Sequence, residues 1–159
     1  LGARRVVASD ISEKRLEFAK QWGADVVANA KSEDVVEVAR SLTQGLGVDV
    51  AIEASGVPSA IRQAFASVRR AGEVVLFGLP GASVEIDLVE GVIYKEVAVK
   101  GITGREMWRT WYQVMNLLES GAIDARKLVT HEFPMSEFHK AIEVAKSGEA
   151  AKVVLYPRA

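Results

Sequence analysis

Short apolar runs alternate with stretches of helical periodicity over the first two thirds of the chain. The runs have no internal proline and are typical of strands that are buried on both faces of a parallel sheet. The predicted strands are residues 6–8 leading to Asp10, 25–28, 48–53, 73–78 and 97–102. Between them, apolar residues recur every three or four positions, which predicts helices over residues 13–22, 33–43 and 59–70. Strands that alternate with helices through short links indicate an α/β fold with a doubly wound parallel sheet.

The pattern changes at about residue 105. Apolar and aromatic residues from Trp108 to Leu118 share one face of a predicted amphipathic helix, which Gly121 ends. An extended segment over residues 128–133, a helix after Pro134 and a strand over residues 152–156 follow. The clustered tryptophans, Trp108 and Trp111, are expected in a core or a subunit interface rather than in a cofactor pocket.

The doubly wound sheet is expected to be incomplete. In the common strand order 3-2-1-4-5-6, the first strand lies between the second and the fourth. The strand that ends at Asp10 has the character of the second strand, and no first strand or G-x-G-x-x-G turn precedes it. We therefore predict a Rossmann sheet that lacks its first strand, with unpaired backbone groups on both sides of a gap of roughly 10 Å.

Asp10 is the first candidate site residue. A carboxylate at the end of the second strand can accept hydrogen bonds from the ribose hydroxyls of NAD, although a strand-end aspartate is also common in ordinary loops. A carboxylate there repels a 2′-phosphate, and the next residue is Ile11 rather than an arginine, so the pattern favours NAD over NADP. Arg15, one turn into the following helix, either contacts the adenosine half or is a solvated helix residue.

Other candidates lie where the remaining strands end, because ligands of doubly wound folds bind outside the carboxyl ends of the strands. Glycines recur there, at Gly56, Gly78 and Gly104, and would let a flat ring or a pyrophosphate approach the backbone, although glycines also simply end strands. Arg105 either pairs with a pyrophosphate or is a surface arginine.

Composition excludes several classes of function. The 159 residues carry a net charge of −1, so no basic excess points to nucleic acid or an anionic membrane. Without cysteine, neither disulfides nor thiolate metal sites are possible, and His131 and His139 have no convincing acidic partner for a zinc site. We expect both histidines to be structural or solvated. No apolar run predicts a membrane span or a signal peptide.

Three runs, at residues 100–112, 128–134 and 147–155, closely resemble the L-threonine 3-dehydrogenases, a family within the zinc-dependent medium-chain alcohol dehydrogenases. The resemblance extends over the whole chain, and its most specific part is the run Gly-Arg-Glu-Met-Trp-x-Thr-Trp at residues 104–111. The Asp10, 53–56 and 77–79 features are shared more widely in the superfamily.

The resemblance implies oxidation of the L-threonine hydroxyl to 2-amino-3-oxobutanoate, with transfer of a hydride to NAD. It implies that Asp10 binds the ribose and Arg15 the adenosine side. The nicotinamide half would contact Phe77, Gly78, Leu79, Ile102 and Thr103, with Arg105 as a weaker assignment.

The resemblance also implies a catalytic zinc ion, which polarises the substrate alcohol. Its ligands would lie in an N-terminal domain that this chain does not include, so the chain alone is expected to be inactive. The implied organisation is an NAD-binding domain over residues 1–104, a connecting helix over 105–127, and a C-terminal segment of the catalytic domain over 128–159. The full-length protein is expected to be a cytoplasmic homotetramer with no nucleic-acid or membrane partner.

Two alternatives stay open from the sequence. One is a related polyol or secondary-alcohol dehydrogenase, because most substrate contacts would lie outside this chain. The other is a free-standing, non-catalytic module for NAD binding or subunit assembly. The unpaired centre of the predicted sheet argues against the module.

Overall fold

The computed structural model describes residues 2–157, and the chain divides into two compact units. One unit combines the residues up to Lys31 with those from Glu106 onward, and the other is Ser32–Arg105. The predicted domains 1–104 and 128–159 also include Leu1, Arg158 and Ala159, which lie outside the described residues. The three-part domain division stays a prediction.

The second unit, Ser32–Arg105, is built on a parallel sheet of three strands in the order β3-β4-β5. Residues with high strand propensity fill these strands, and two helices accompany them. The elements are α2 (Val35–Ser41), β3 (Val48–Glu53), α3 (Pro58–Ser67), β4 (Val68–Leu76) and β5 (Ala98–Gly101). The core lies between the sheet and α3, with Ala51, Ile61, Ala64, Phe65, Val68, Val74 and Val97 buried.

Helix α3 is shorter than the sequence predicts. Apolar periodicity extends to Arg70, yet the helix ends at Ser67 and β4 begins at Val68, five residues before the predicted start of that strand. The cause is tertiary, because the Lys95 ammonium donates hydrogen bonds to the carbonyls of Phe65, Ala66 and Val68 at 2.8–3.3 Å. A cation at the C-terminus of a helix satisfies carbonyls that have no partner within the helix.

The first unit contains a two-stranded parallel sheet of β1 (Val7–Asp10) and β2 (Val26–Asn29), joined by α1 (Glu13–Gln21). The Ser12 side chain accepts the amide of Arg15 and caps α1, as its position before the apolar repeat predicts. The first unit also contains α4 (Arg109–Glu119), β6 (Val129–Pro134), α5 (Phe138–Ser147) and β7 (Lys152–Tyr156), and β6 and β7 pair in parallel.

The predicted fold class is confirmed: parallel strands alternate with helices throughout. Strands β1 and β2 form one sheet and strands β3, β4 and β5 another, with no strand among residues 2–157 that joins the two. This separation is the pattern expected of a Rossmann sheet without its first strand.

Helix α4 is not a core helix of this chain, so the first of the two places expected for its tryptophans is wrong. It contains no buried residue, and Trp108 is 63% and Trp111 44% exposed. The expected subunit-interface role of its apolar face stays a prediction. In the part of the chain that the structure describes, no helix has the length and apolar character needed to cross a membrane.

Candidate cofactor-binding site

Asp10 ends β1, opposite Asn29 in the parallel register of β1 and β2. Its Oδ1 atom accepts the amide of Ser12 at 2.9 Å, an Asx turn that leads the chain into α1. Its Oδ2 atom lies 3.7 Å from the Arg15 guanidinium, which is beyond normal hydrogen-bond length. Oδ2 therefore keeps capacity to accept hydrogen bonds, and the side chain is 29% exposed.

Arg15 lies beside Asp10 on the first turn of α1 with 61% of its side chain exposed. Its planar guanidinium is accessible for stacking or for hydrogen bonding. The structure therefore brings the two predicted residues of the adenosine half together. A carboxylate acceptor with an adjacent guanidinium is a donor and acceptor set that fits the adenosine ribose of a dinucleotide.

In the second unit, the loops that follow β3 and β4 pack against each other at Gly56 and Gly78. The amides of Phe77 and Gly78 both donate to the Glu53 carbonyl, at 2.8 and 3.1 Å. A Cβ atom on Gly78 would lie 2.1 Å from the amide nitrogen of Gly56, so only glycine allows this approach. Gly56 has a φ of 72°, and a Cβ there would lie 2.5 Å from the Leu79 carbonyl oxygen. The glycines predicted at these strand ends thus allow two loops to pack closely.

Exposed apolar side chains follow the ends of β4 and β5. Phe77 is 51% exposed, Leu79 83% and Ile102 39%, and the Ile102 amide continues the β4–β5 pairing by donating to the Leu76 carbonyl at 2.9 Å. Exposed apolar groups at the carboxyl ends of parallel strands fit one face of a flat, weakly polar ring. Thr103 and Arg105 follow in the same unit, both exposed.

The sequence places Glu53 at a strand end, within the 53–56 feature, but assigns it no role, and the structure makes it part of this site. It is only 4% exposed, and its carboxylate accepts hydrogen bonds from Ser55 and Gly56. In the structure Ala51 and Glu53 share the inward face of β3, whereas the sequence alternation places the apolar Val50 and Ile52 together on the other face, so the strand pattern alone does not indicate a buried acid. An acid at the last inward position of a strand needs hydrogen-bond partners, which the following Ser-Gly pair can supply.

A cleft in the second unit does not coincide with these strand ends. It has a volume of about 380 Å³ and lies beside α3 and the segment that precedes β5, among the basic Arg40, Arg62 and Lys95. Burial and the neighbouring Arg40 lower the pKa of Lys95. The cleft is also lined by Glu85, Asp87 and Glu90, so its charges are mixed and favour no single class of ligand.

Neither histidine forms part of a site. Half-buried His131 stacks on Phe133, and its Nδ1 atom lies 3.0 Å from the Thr130 hydroxyl, while His139 is exposed. Among residues 2–157 no group of three or more histidine or acidic residues could hold a metal ion, and the sequence has no cysteine. The described residues therefore do not fit a zinc ion.

Comparison with known proteins gives consistent results. A family model described as zinc-binding dehydrogenase matches residues 1–120. An L-threonine 3-dehydrogenase of Symbiobacterium thermophilum is 47% identical over 157 residues, which cover 98% of this chain and 45% of the relative.

Solved structures extend the comparison. An alcohol dehydrogenase of Thermus sp. ATN1 superposes with a TM-score of 0.92 at 31% identity, over 99% of this chain and 45% of its own. A zinc-binding dehydrogenase of Sinorhizobium meliloti bound to NADP has a TM-score of 0.83 at 27% identity, over 98% and 46%. The resemblance found in the sequence is confirmed, and the chain spans a little under half the length of the relatives it matches.

Proposed function

Because this chain belongs to the zinc-binding dehydrogenase family, we propose that it forms the cofactor-binding part of an NAD-dependent L-threonine 3-dehydrogenase. The observation that carries the proposal is the 47% identity to such an enzyme over 98% of the chain. The reaction would be oxidation of the threonine hydroxyl to 2-amino-3-oxobutanoate, and bound NAD supplies the acceptor for the hydride.

The chain's own residues would bind and orient the cofactor. Asp10 would accept hydrogen bonds from the adenosine ribose through Oδ2, and Arg15 would contact the adenosine. Phe77, Gly78, Leu79, Ile102 and Thr103 would contact the nicotinamide half, and Arg105 would pair with the pyrophosphate. The absence of an arginine directly after Asp10 supports NAD rather than NADP as the cofactor, although one structural relative binds NADP.

Zinc is part of the proposal only for the longer protein. The described residues of this chain do not fit the ion, so its ligands would come from outside this chain. This chain would then provide cofactor binding and no catalytic group. We further propose a cytoplasmic homotetramer without nucleic-acid or membrane partners, for which sedimentation analysis of the full-length protein measures the assembly.

A second candidate is a dehydrogenase of polyols or secondary alcohols. The observation that favours it is the TM-score of 0.92 to an alcohol dehydrogenase, whose fold is shared over 99% of this chain. The two candidates differ in substrate and share the cofactor site.

A substrate panel with the full-length protein distinguishes them. NADH formation is followed by its near-ultraviolet absorbance with L-threonine, D-threonine, sorbitol and 2,3-butanediol, each with NAD⁺ and with NADP⁺. We expect the highest kcat/KM with L-threonine and NAD⁺. Preference for an alcohol without an amino group contradicts the threonine assignment, and no turnover with any substrate, together with a native mass equal to this chain, supports the non-catalytic module.

A further inference from the structure

Glu53 is a buried acid whose hydrogen-bond partners all come from its own loop. Its Oε1 atom accepts the Ser55 amide at 2.8 Å, the Ser55 hydroxyl at 2.5 Å and the Gly56 amide at 3.0 Å. Its Oε2 atom lies 3.2 Å from the same Gly56 amide. None of the ion pairs among residues 2–157 includes Glu53, so no lysine or arginine neutralises its charge in this part of the chain.

These contacts occupy the donors that precede α3. Free amides before a helix N-terminus form an anion site, which dinucleotide-binding proteins commonly use for phosphate. Here the Glu53 carboxylate takes the amides of Ser55 and Gly56, and the Ser55 hydroxyl accepts the Val57 amide at 3.1 Å. A pyrophosphate would find no free donor among these three amides, and the carboxylate would repel it.

The Glu53 carboxylate lies close to Gly78, in the loop that follows β4. A Cβ atom on Gly78 would lie 2.6 Å from Glu53 Oε2, which places the carboxylate against the loop that presents Phe77 and Leu79. A buried charge is less screened by salt than a surface charge. A ligand that binds over Gly78 would therefore experience a negative potential from the Glu53 carboxylate.

We infer that Glu53 is a positioning residue that makes this strand end select the cationic nicotinamide ring of NAD⁺ over the neutral ring of NADH. The inference rests on the proposed function and specifies how its cofactor site distinguishes the oxidation states. The two forms differ by one positive charge on the ring, so a nearby negative charge stabilises only the oxidised form. The positive end of α3 opposes this field and reduces its size.

Two substitutions separate charge from geometry in the full-length protein. Glu53→Gln keeps the side-chain size and removes the charge, whereas Glu53→Asp keeps the charge and shortens the reach to Ser55 and Gly56. The dissociation constants of NAD⁺ and NADH are measured by calorimetry for each protein. We expect Glu53→Gln to shift the NAD⁺/NADH affinity ratio toward NADH by about three- to tenfold, as for the loss of one partly screened charge. Glu53→Asp should weaken both forms and leave the ratio unchanged.

A second pair of variants does not depend on the folding of a Glu53 mutant. Ala54 is exposed and adjacent to Glu53, so Ala54→Lys would place a cation beside the carboxylate, with Ala54→Gln as the uncharged control. Ala54→Lys should shift the ratio toward NADH, and Ala54→Gln should not.

The outcomes separate the inference from the proposed function. If the unmodified protein binds both cofactor forms and Glu53→Gln leaves the affinity ratio unchanged, Glu53 is only structural and the inference is wrong. If Glu53→Gln does not fold, an unchanged ratio in Ala54→Lys overturns the inference, because a charge at this place then does not act on the ring. If the unmodified full-length protein binds neither form, the proposed function itself fails, and the inference fails with it.

Discussion

The close packing of the Gly78 loop on the Gly56 loop yields a quantitative prediction for Gly78→Ala. The added methyl group would lie 2.1 Å from the Gly56 amide nitrogen, 2.8 Å from the Gly56 Cα atom and 2.6 Å from Glu53 Oε2. Two of these atoms are main chain, so one loop must move by about 1 Å to restore normal contact distances. The movement would also stretch the 3.1 Å hydrogen bond from the Gly78 amide to the Glu53 carbonyl.

Overpacking of this kind costs about 1–3 kcal/mol, and a lost hydrogen bond adds about 1 kcal/mol. We therefore expect a loss of about 2–4 kcal/mol, which corresponds to a fall of about 8–32 °C in melting temperature for a unit of the size of Ser32–Arg105. Gly81→Ala is the matched control, because no atom lies within 4 Å of the place its added methyl group would occupy and its φ is not left-handed. Thermal unfolding followed by circular dichroism measures both variants, and equal melting temperatures for the two would refute the close packing of these loops.

Two further predictions concern the core and the surface. Val74 is fully buried, so Val74→Ala should lower the free energy of unfolding, measured in urea, by about 2 kcal/mol. The control Val99→Ala, at a 46% exposed position in the adjacent strand, should change it by less than about 0.5 kcal/mol, and equal losses would contradict the assigned core. The Tyr156 hydroxyl donates to Glu132 Oε2 at 3.0 Å, and this bond and the carboxylate charge raise the pKa of Tyr156. Above about pH 10 the folded chain therefore binds more protons than the unfolded chain, because the Tyr156 phenol keeps its proton to a higher pH when folded. The stability that the Tyr156–Glu132 bond contributes is present below that pH and is lost as the pH rises through the raised pKa of Tyr156. Glu132→Gln should lower the midpoint of the Tyr156 ultraviolet absorbance transition, with Tyr156→Phe identifying that transition, and an unchanged midpoint would show that Glu132 does not hold the phenol.

Local sequence signals are sufficient for most of the fold. Strand propensity and helical periodicity are properties of adjacent residues, so β1 to β5 and their helices can be predicted from the pattern. The separation of β1–β2 from β3–β4–β5 follows from strand order, once Asp10 identifies the second strand of the Rossmann arrangement.

Contacts between distant residues account for the errors. The end of α3 depends on Lys95, 27 to 30 residues away from the carbonyls it contacts, and no local periodicity encodes that bond. The aromatic face of α4 predicts burial, but no residue of this helix is buried in the part of the chain that the structure describes. A helix pattern shows which face is apolar and does not show what packs on it.

The candidate site was predictable in position but not in its internal contacts. The strand ends locate Asp10, Gly56 and Gly78 because ligands of this fold bind at that edge. The burial of Glu53 and its bonds to Ser55 and Gly56 depend on how two loops meet, which the sequence does not reveal. Binding of NAD by Asp10, Arg15 and the strand-end residues stays a prediction.

The central claim, that Asp10 binds the ribose of NAD, is tested most directly by titrating NAD⁺ and NADP⁺ calorimetrically into the full-length protein and its Asp10→Asn variant. Asparagine keeps the Oδ1 acceptor for the Ser12 amide and removes the charge, so the turn that leads into α1 should be retained. We predict that the variant loses about 1–3 kcal/mol of NAD⁺ binding and discriminates less against NADP⁺. Unchanged affinity for NAD⁺ together with undiminished rejection of NADP⁺ would contradict the ribose assignment and the cofactor site built on it.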